Sequence, residues 1–147
     1  MEKVYVGIFY SLLAGMIVAT QNVFSARVSE KLGMWETTFV VHIIGLIFAL
    51  IMVRLFGEGN LRNISEVNKV YLLGGVLGVL IIFTVANGVS LLGASFSIAL
   101  MVIAQLFFAT VIDTLGLFGA EKIPFDFTKL IGLVIMAVGV IVYNSKG

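Results

Sequence analysis

The chain has 147 residues, 61% of them hydrophobic and 12% charged, with a net charge of +1 and a mean hydropathy of +1.17. A soluble globule carries about twice that fraction of charge, ~25%, so a water-soluble domain is excluded. The near-neutral balance offers no basic patch for nucleic acid or for clamping a lipid surface; with no cysteine and one histidine there is no disulfide framework, thiolate ligand or histidine-rich metal site.

A helix needs ~20 mostly apolar residues to cross ~30 Å of hydrocarbon. Five such stretches can be marked, roughly 4–26, 35–54, 70–90, 94–118 and 127–144. Lipid provides no partner for a bare N–H or C=O, so these stretches are predicted to be helices; the alternation of a barrel strand is absent. The expected architecture is an all-α integral membrane protein forming a single membrane domain over residues 1–147, bound by membrane lipid.

The first stretch begins with one lysine in its n-region and is longer than a signal peptide's apolar core, and Phe24 and Ala26 make a poor cleavage site, so it is read as a retained helix. It runs out through ATQNVFSARVSEKLG, residues 19 to 33. At 100° per residue, Ser11, Ala14, Gly15, Val18, Gln21, Asn22, Ser25 and Ser29 share an arc of about 120°, while Arg27, Glu30 and Lys31 point elsewhere. Two readings follow: small and polar residues that ease helix packing near the interface, or the lining of a polar cavity. The extension of the stripe back to Ser11 favours the lining. Gly33 is predicted to end the helix as a left-handed cap.

The second stretch places Thr38, His42, Gly45 and Ala49 on one stripe. An imidazole there either bonds a neighbouring helix's carbonyl or belongs to a functional site, since ionisable groups at membrane depth are costly to keep. The polar loop FGEGNLRNISEVNK, residues 56 to 69, follows, and its Asn63-Ile64-Ser65 fits the glycosylation pattern. In the third stretch Gly74, Gly78, Val85 and Gly88 form a packing face, and Asn87 and Thr84 lie on another face, facing a substrate or another helix. The fourth, GASFSIALMVIAQLFFATVIDTLG, sets Ser95, Gln105, Ala109, Asp113 and Gly116 on one arc. An acid near a helix C-terminus opposes the macrodipole: Asp113 either pairs with Lys122 or a lipid amine, or is a proton- or cation-coupling group facing the same cavity as Gln105. The fifth is capped by Asp126 or Thr128, and its seam of Thr128, Gly132, Met136, Gly139 and Tyr143 suits a helix contact, within or between subunits.

Five spans place Lys3, Arg54, Arg62, Lys69, Lys122 and Lys129 on one side and Arg27, Lys31 and Lys146 on the other. The split favours an inward N-terminus, but weakly enough that dual insertion stays compatible. Tyr5, Trp35, Tyr71 and Tyr143 fall at span ends, where amphipathic rings sit at the headgroups. No phosphate cradle, Glu-x-x-His pair or nucleophile triad is present, so catalysis, including any by His42 with Asp113, is not expected, and no cofactor or metal is called for.

Gly15, Gln21, ARVSEKLGMWETTFVVHIIGLIFAL, IALMVIAQLFFATVIDTLGLFG and LIGLVIMAVGVIVY, in this order, resemble the YdcZ-like inner-membrane transporters of the drug/metabolite transporter superfamily. The resemblance implies a bacterial plasma (inner) membrane location and a five-helix unit equivalent to half of a ten-helix transporter. Such a unit needs a second, oppositely inserted unit to enclose a path, as an antiparallel homodimer or with a paralogue. It further implies export of a small metabolite or drug-like molecule by alternating access. Substrate contacts would come from Gln21, Asn22, Ser25, His42, Asn87 and Gln105, with Asp113 as the coupling group. Two departures stand out: Ser25 occupies a position where many members have Asn, and the first span lacks the embedded Glu of the small multidrug resistance proteins. Competing readings are a lipid flippase or scramblase and a non-transporting subunit that stabilises a paralogue.

Overall fold

A computed structural model describes residues 2–145, and the side chains from Val4 onward; Lys146 of the charge count lies outside these residues. The described residues are helical with short connections and no strand, and they fall into two compact units, the first ending at Leu91 and the second beginning at Leu92. Five helices are long and apolar enough to cross a membrane.

The first unit opens with α1 (Glu2–Leu32) and α2 (Met34–Phe56). At 1.5 Å per residue α1 is about 46 Å long, well beyond the hydrocarbon, so the expected end of the first span at residue 26 is overtaken by six residues. The overhang is the charged turn, where Arg27 pairs with Glu30 at 3.0 Å and Lys31 sits beside the negative end of the helix dipole. Gly33 separates the two helices by itself. Its φ of 95° and ψ of 159° lie in the mirror of the extended region, which only glycine enters freely, and not in the left-handed helical region expected. The helix thus stops without the overwound turn of a left-handed cap, and α2 starts at once with Thr37 N–H donating to the Gly33 carbonyl at 3.1 Å.

Beyond a short 3₁₀ segment, Leu61–Glu66, capped by Asn60, the third span runs over Lys69–Leu92. A single turn, α3 (Lys69–Leu72), capped by Asn68, passes through Leu73 into α4 (Gly74–Leu92). The helix expected over 70–90 is thus present, with one tightened turn at Leu73, whose N–H donates to Val70 C=O at 3.2 Å, just before Gly74 and Gly75, which weaken helix propensity. The ladder resumes with Leu77 N–H donating to Leu73 C=O at 2.9 Å.

Packing in this unit is inverted relative to a soluble protein. The buried positions are small or polar: Asn22, Ser25, Ala26 and Ser29 of α1, Thr37 and Thr38 of α2, Ala86 and Val89 of α4. Phe39, Phe48 and Leu77 point outward. Lipid tails are as apolar as leucine, so burying a large side chain gains little, whereas small residues let helices approach. Hydroxyls in the spans bond back to their own helix: Ser11 to Gly7 C=O, Thr20 to Met16 C=O, Thr37 to Gly33 C=O and Thr38 to Met34 C=O, at 2.7 to 2.9 Å. Trp35 of α2 stacks on Phe83 of α4 with ring centroids 4.1 Å apart, so this span-end aromatic has a partner within the unit.

The second unit pairs α5 (Ala94–Leu115) with α6 (Phe127–Asn144). Gly93 precedes α5 with φ 80° and ψ 162°, nearly the conformation of Gly33, and Ser97 N–H donates to its carbonyl at 3.2 Å. α5 ends at Leu115, three residues before the expected end at 118, with Gly116 as its cap in the left-handed region. The connection folds back so that Ile123 N–H donates to Asp113 C=O at 2.9 Å. Of the two cap candidates, Asp126 is the one: its carboxylate accepts from Thr128 N–H at 2.9 Å.

Alanine at Gly33 or Gly93 must take a φ that a Cβ disfavours, and at Gly33 the Cβ would lie 2.5 Å from Glu36 Oε2. Either substitution is expected to destabilise the purified protein by about 1–3 kcal/mol in unfolding titrations with a denaturing detergent. Gly45→Ala, in an open helical position, should not. A second expectation concerns acid. The Thr128 N–H, then the Thr128 hydroxyl, and more weakly Lys129 hold the Asp126 carboxyl below its ordinary value against slight desolvation. A carboxylate whose folded value is depressed stabilises above its unfolded value and loses that contribution as pH falls through the folded one. The stability difference between the native chain and Asp126→Ala should therefore be constant near neutrality and shrink below about pH 4.

Candidate functional site

In the first unit the polar residues of α1 divide by depth along the helix. Asn22, Ser25 and Ser29 follow the i, i+3, i+7 spacing and are buried, while Ser11, Ala14, Gly15, Val18 and Gln21, on the same arc, remain exposed on this chain. Ser29 donates to Ala26 C=O at 2.7 Å. Asn22 differs: its Nδ2 is buried with no hydrogen-bond partner. Leaving a buried donor unmade costs about 1–3 kcal/mol.

Gln21 stands where two grooves meet. One, of about 460 Å³, runs along α1 past Met16, Thr20, Phe24 and Ser25 to Val41. The other, of about 390 Å³, is lined by Gln21, His42, Gly45 and Ala49, with Ile82 of α4. The stripe expected on α2 therefore splits, with Thr38 buried and the other three residues in the groove. His42 Nδ1 lies 2.8 Å from Thr38 C=O. A carbonyl only accepts, so Nδ1 donates, and in the neutral ring Nε2 keeps its lone pair free. Nε2 points beside Gly78, 3.7 Å from where a Cβ would stand. Gly78 thus makes room for the imidazole.

Asn87 is half-buried on α4 and donates to Phe83 C=O of its own helix at 2.8 Å; Thr84 likewise bonds Leu80 C=O. Each is engaged locally, through an alternative the sequence reading did not weigh. In the second unit Gln105 is exposed, and its amide makes no hydrogen bond among the described residues. Asp113 is half-buried, and its carboxylate makes no ion pair among them, so the pairing with Lys122 does not form: the Lys122 stem packs beside Gly116 instead. The α6 seam faces α5 of the same unit, where Met136, Gly139 and Tyr143 line a groove of about 450 Å³ with Ser95. A smaller pocket of about 260 Å³ lies at the other end, between Phe107, Thr114, Phe125 and Leu130, and the Thr114 hydroxyl is buried there without a partner.

Sequence reading passed over Thr37 and Thr114. Thr37, four residues after a helix-breaking glycine, had a legible signal in that spacing; Thr114 had none, because its burial depends on where Phe125 returns.

A family model described as "Putative inner membrane exporter, YdcZ" matches residues 6–142. The chain belongs to this family. Five spanning helices together with YdcZ membership make it a multi-pass inner-membrane protein and support a membrane transporter. No curated protein and no solved structure matches the YdcZ-family chain.

Gly78→Ala is expected to be tolerated, since a methyl at 3.7 Å from Nε2 is in ordinary contact. Gly78→Leu must displace the imidazole and should lower stability by about 1–3 kcal/mol, the usual range for overpacking, with the fluorescence of the single tryptophan, stacked on Phe83, as the unfolding probe.

Proposed function

We propose that the protein exports a small organic molecule by alternating access, two five-helix chains in opposite orientation enclosing the path. One observation carries this reading: Gln21 and Gln105 expose amides at membrane depth with no hydrogen bond among the described residues. Hydrocarbon cannot satisfy an amide, so such a side chain faces a water-filled path or another protein surface. Gln21, Ser25 and His42 supply hydrogen-bonding groups from the first unit, and Asn87 becomes a further one when its bond to Phe83 opens; Gln105 is the corresponding candidate of the second unit. Asn22 is sealed in this state, and its unmade bond favours a second state in which the contact between α1 and α2 loosens and Nδ2 meets substrate or water. Asp113 is the candidate proton or cation group.

The chain contains no cysteine, so single-cysteine variants can be read without background. Gln21→Cys and Gln105→Cys in membrane vesicles are expected to react with a membrane-impermeant maleimide, and Phe108→Cys, on the exposed apolar surface of α5, is expected to be inert. If neither glutamine position reacts, the path assignment fails, and a fixed protein contact, as in a non-transporting subunit, takes its place. A lipid-translocating role draws on the open, largely apolar groove along Met16 and Phe24; accelerated flipping of a fluorescent phospholipid in proteoliposomes would favour it.

A further inference from the structure

The groove beside α2 contains one lone pair that two different ligands can use. Thr38 C=O fixes the His42 ring through Nδ1 at 2.8 Å, which leaves Nε2 as a hydrogen-bond acceptor in the neutral ring and makes it a donor once a proton arrives. Nε2 makes no hydrogen bond among the described residues, and Gly78 leaves open the space that a side chain would fill. Gln21, which lines the same groove from α1, carries both a donor and an acceptor, so the groove offers a second group that suits a ligand in either state of the ring.

The surroundings supply no counter-charge. No charged residue occurs in α1 between its first turn and Arg27, and Tyr10 is the titratable side chain of that stretch. None occurs in α4 from Gly74 to Leu92. On α2 itself Glu36 and Arg54 lie near the two ends, and the Glu36 carboxylate is turned over Gly33. A proton taken from water by Nε2 therefore brings an uncompensated positive charge into a small groove at membrane depth, where it repels cations and withdraws the only unbonded imidazole acceptor.

We propose that His42 is a proton-exchange site in which Nε2 takes either a proton or a hydrogen-bond-donating group of the substrate, an amide N–H, a hydroxyl or an amine, and never both. The substrate class is thereby narrowed to molecules bearing such a donor, and protonation from one side of the membrane expels the molecule bound from the other. This rests on the transport reading above and adds a proton site to Asp113.

The single histidine makes a direct test possible. The protein, with ring-¹⁵N histidine, is placed in lipid nanodiscs and followed by NMR, with benzamide as the donor probe and N,N-dimethylbenzamide as the same ring without an N–H. The expected result is one ring with hydrogen on Nδ1 and a bare Nε2 in the neutral form, and hydrogen on both nitrogens once the sample is acidified far enough for the ring to take its second proton. Benzamide should move the Nε2 resonance of the neutral ring, with affinity falling at least about tenfold when the spectrum shows the ring doubly protonated, as the competent fraction falls; dimethylbenzamide should do neither. By thermal shift, His42→Gln, which keeps an acceptor but does not titrate, should bind benzamide independently of pH. Hydrogen on Nε2 in the neutral ring, or equal behaviour of the two probes, overturns the proposal. These readouts concern His42 alone, so their failure leaves the cysteine-labelling result, and with it the transport reading, standing or falling separately.

Discussion

Every polar group inside a bilayer must find its partner within protein, because the hydrocarbon has none to offer. The first unit follows from this. Its hydroxyls bond backward to carbonyls four residues earlier, as Ser11, Thr20, Thr37 and Thr38 do, which removes their donors without needing a neighbour. What remains to hold helices together is close approach, and the contact positions are accordingly Ala26, Ala86, Ser25 and Ser29 rather than the leucines and phenylalanines that face outward. The same constraint singles out the side chains that do not comply: Gln21 and Gln105 exposed, Asn22 and Thr114 buried but with a polar atom unpaired.

Glycine does two jobs in this arrangement. At Gly33 and Gly93 it allows one helix to end and the next to start across a single residue, using a backbone conformation closed to other residues. At Gly78 it contributes absence: with no side chain there, the His42 ring fits against α4 with Nε2 uncovered. These uses are connected, since the abrupt turn at Gly33 places Thr37 and Thr38 directly in the helix contact, and Thr38 in turn holds His42 through its carbonyl.

The site is therefore built from ordinary parts under an unusual solvent. An imidazole bonded to its own helix is commonplace, and so is a glutamine on a helix surface. Placed within a span, their free polar atoms are ones that hydrocarbon cannot satisfy.

The sequence by itself determined the spans, because the apolar length needed to cross a bilayer is a one-dimensional property. It also determined the stop at Gly33 and the division of charged from uncharged residues after Thr20, since these depend on residue type and helical spacing, and it narrowed the cap of the last helix to Asp126 or Thr128. It could not decide that the arc from Ser11 to Ser29 is exposed in its first half and buried in its second: spacing assigns a face, and only a neighbouring helix covers it. The ψ of Gly33, the bond from Asn87 to its own helix and the separation of Lys122 from Asp113 were likewise beyond it. Each depends on where a second element arrives, and only the tertiary structure decided that Nε2 of His42, beside Gly78 and in a groove that Gln21 also lines, is left with a lone pair to offer.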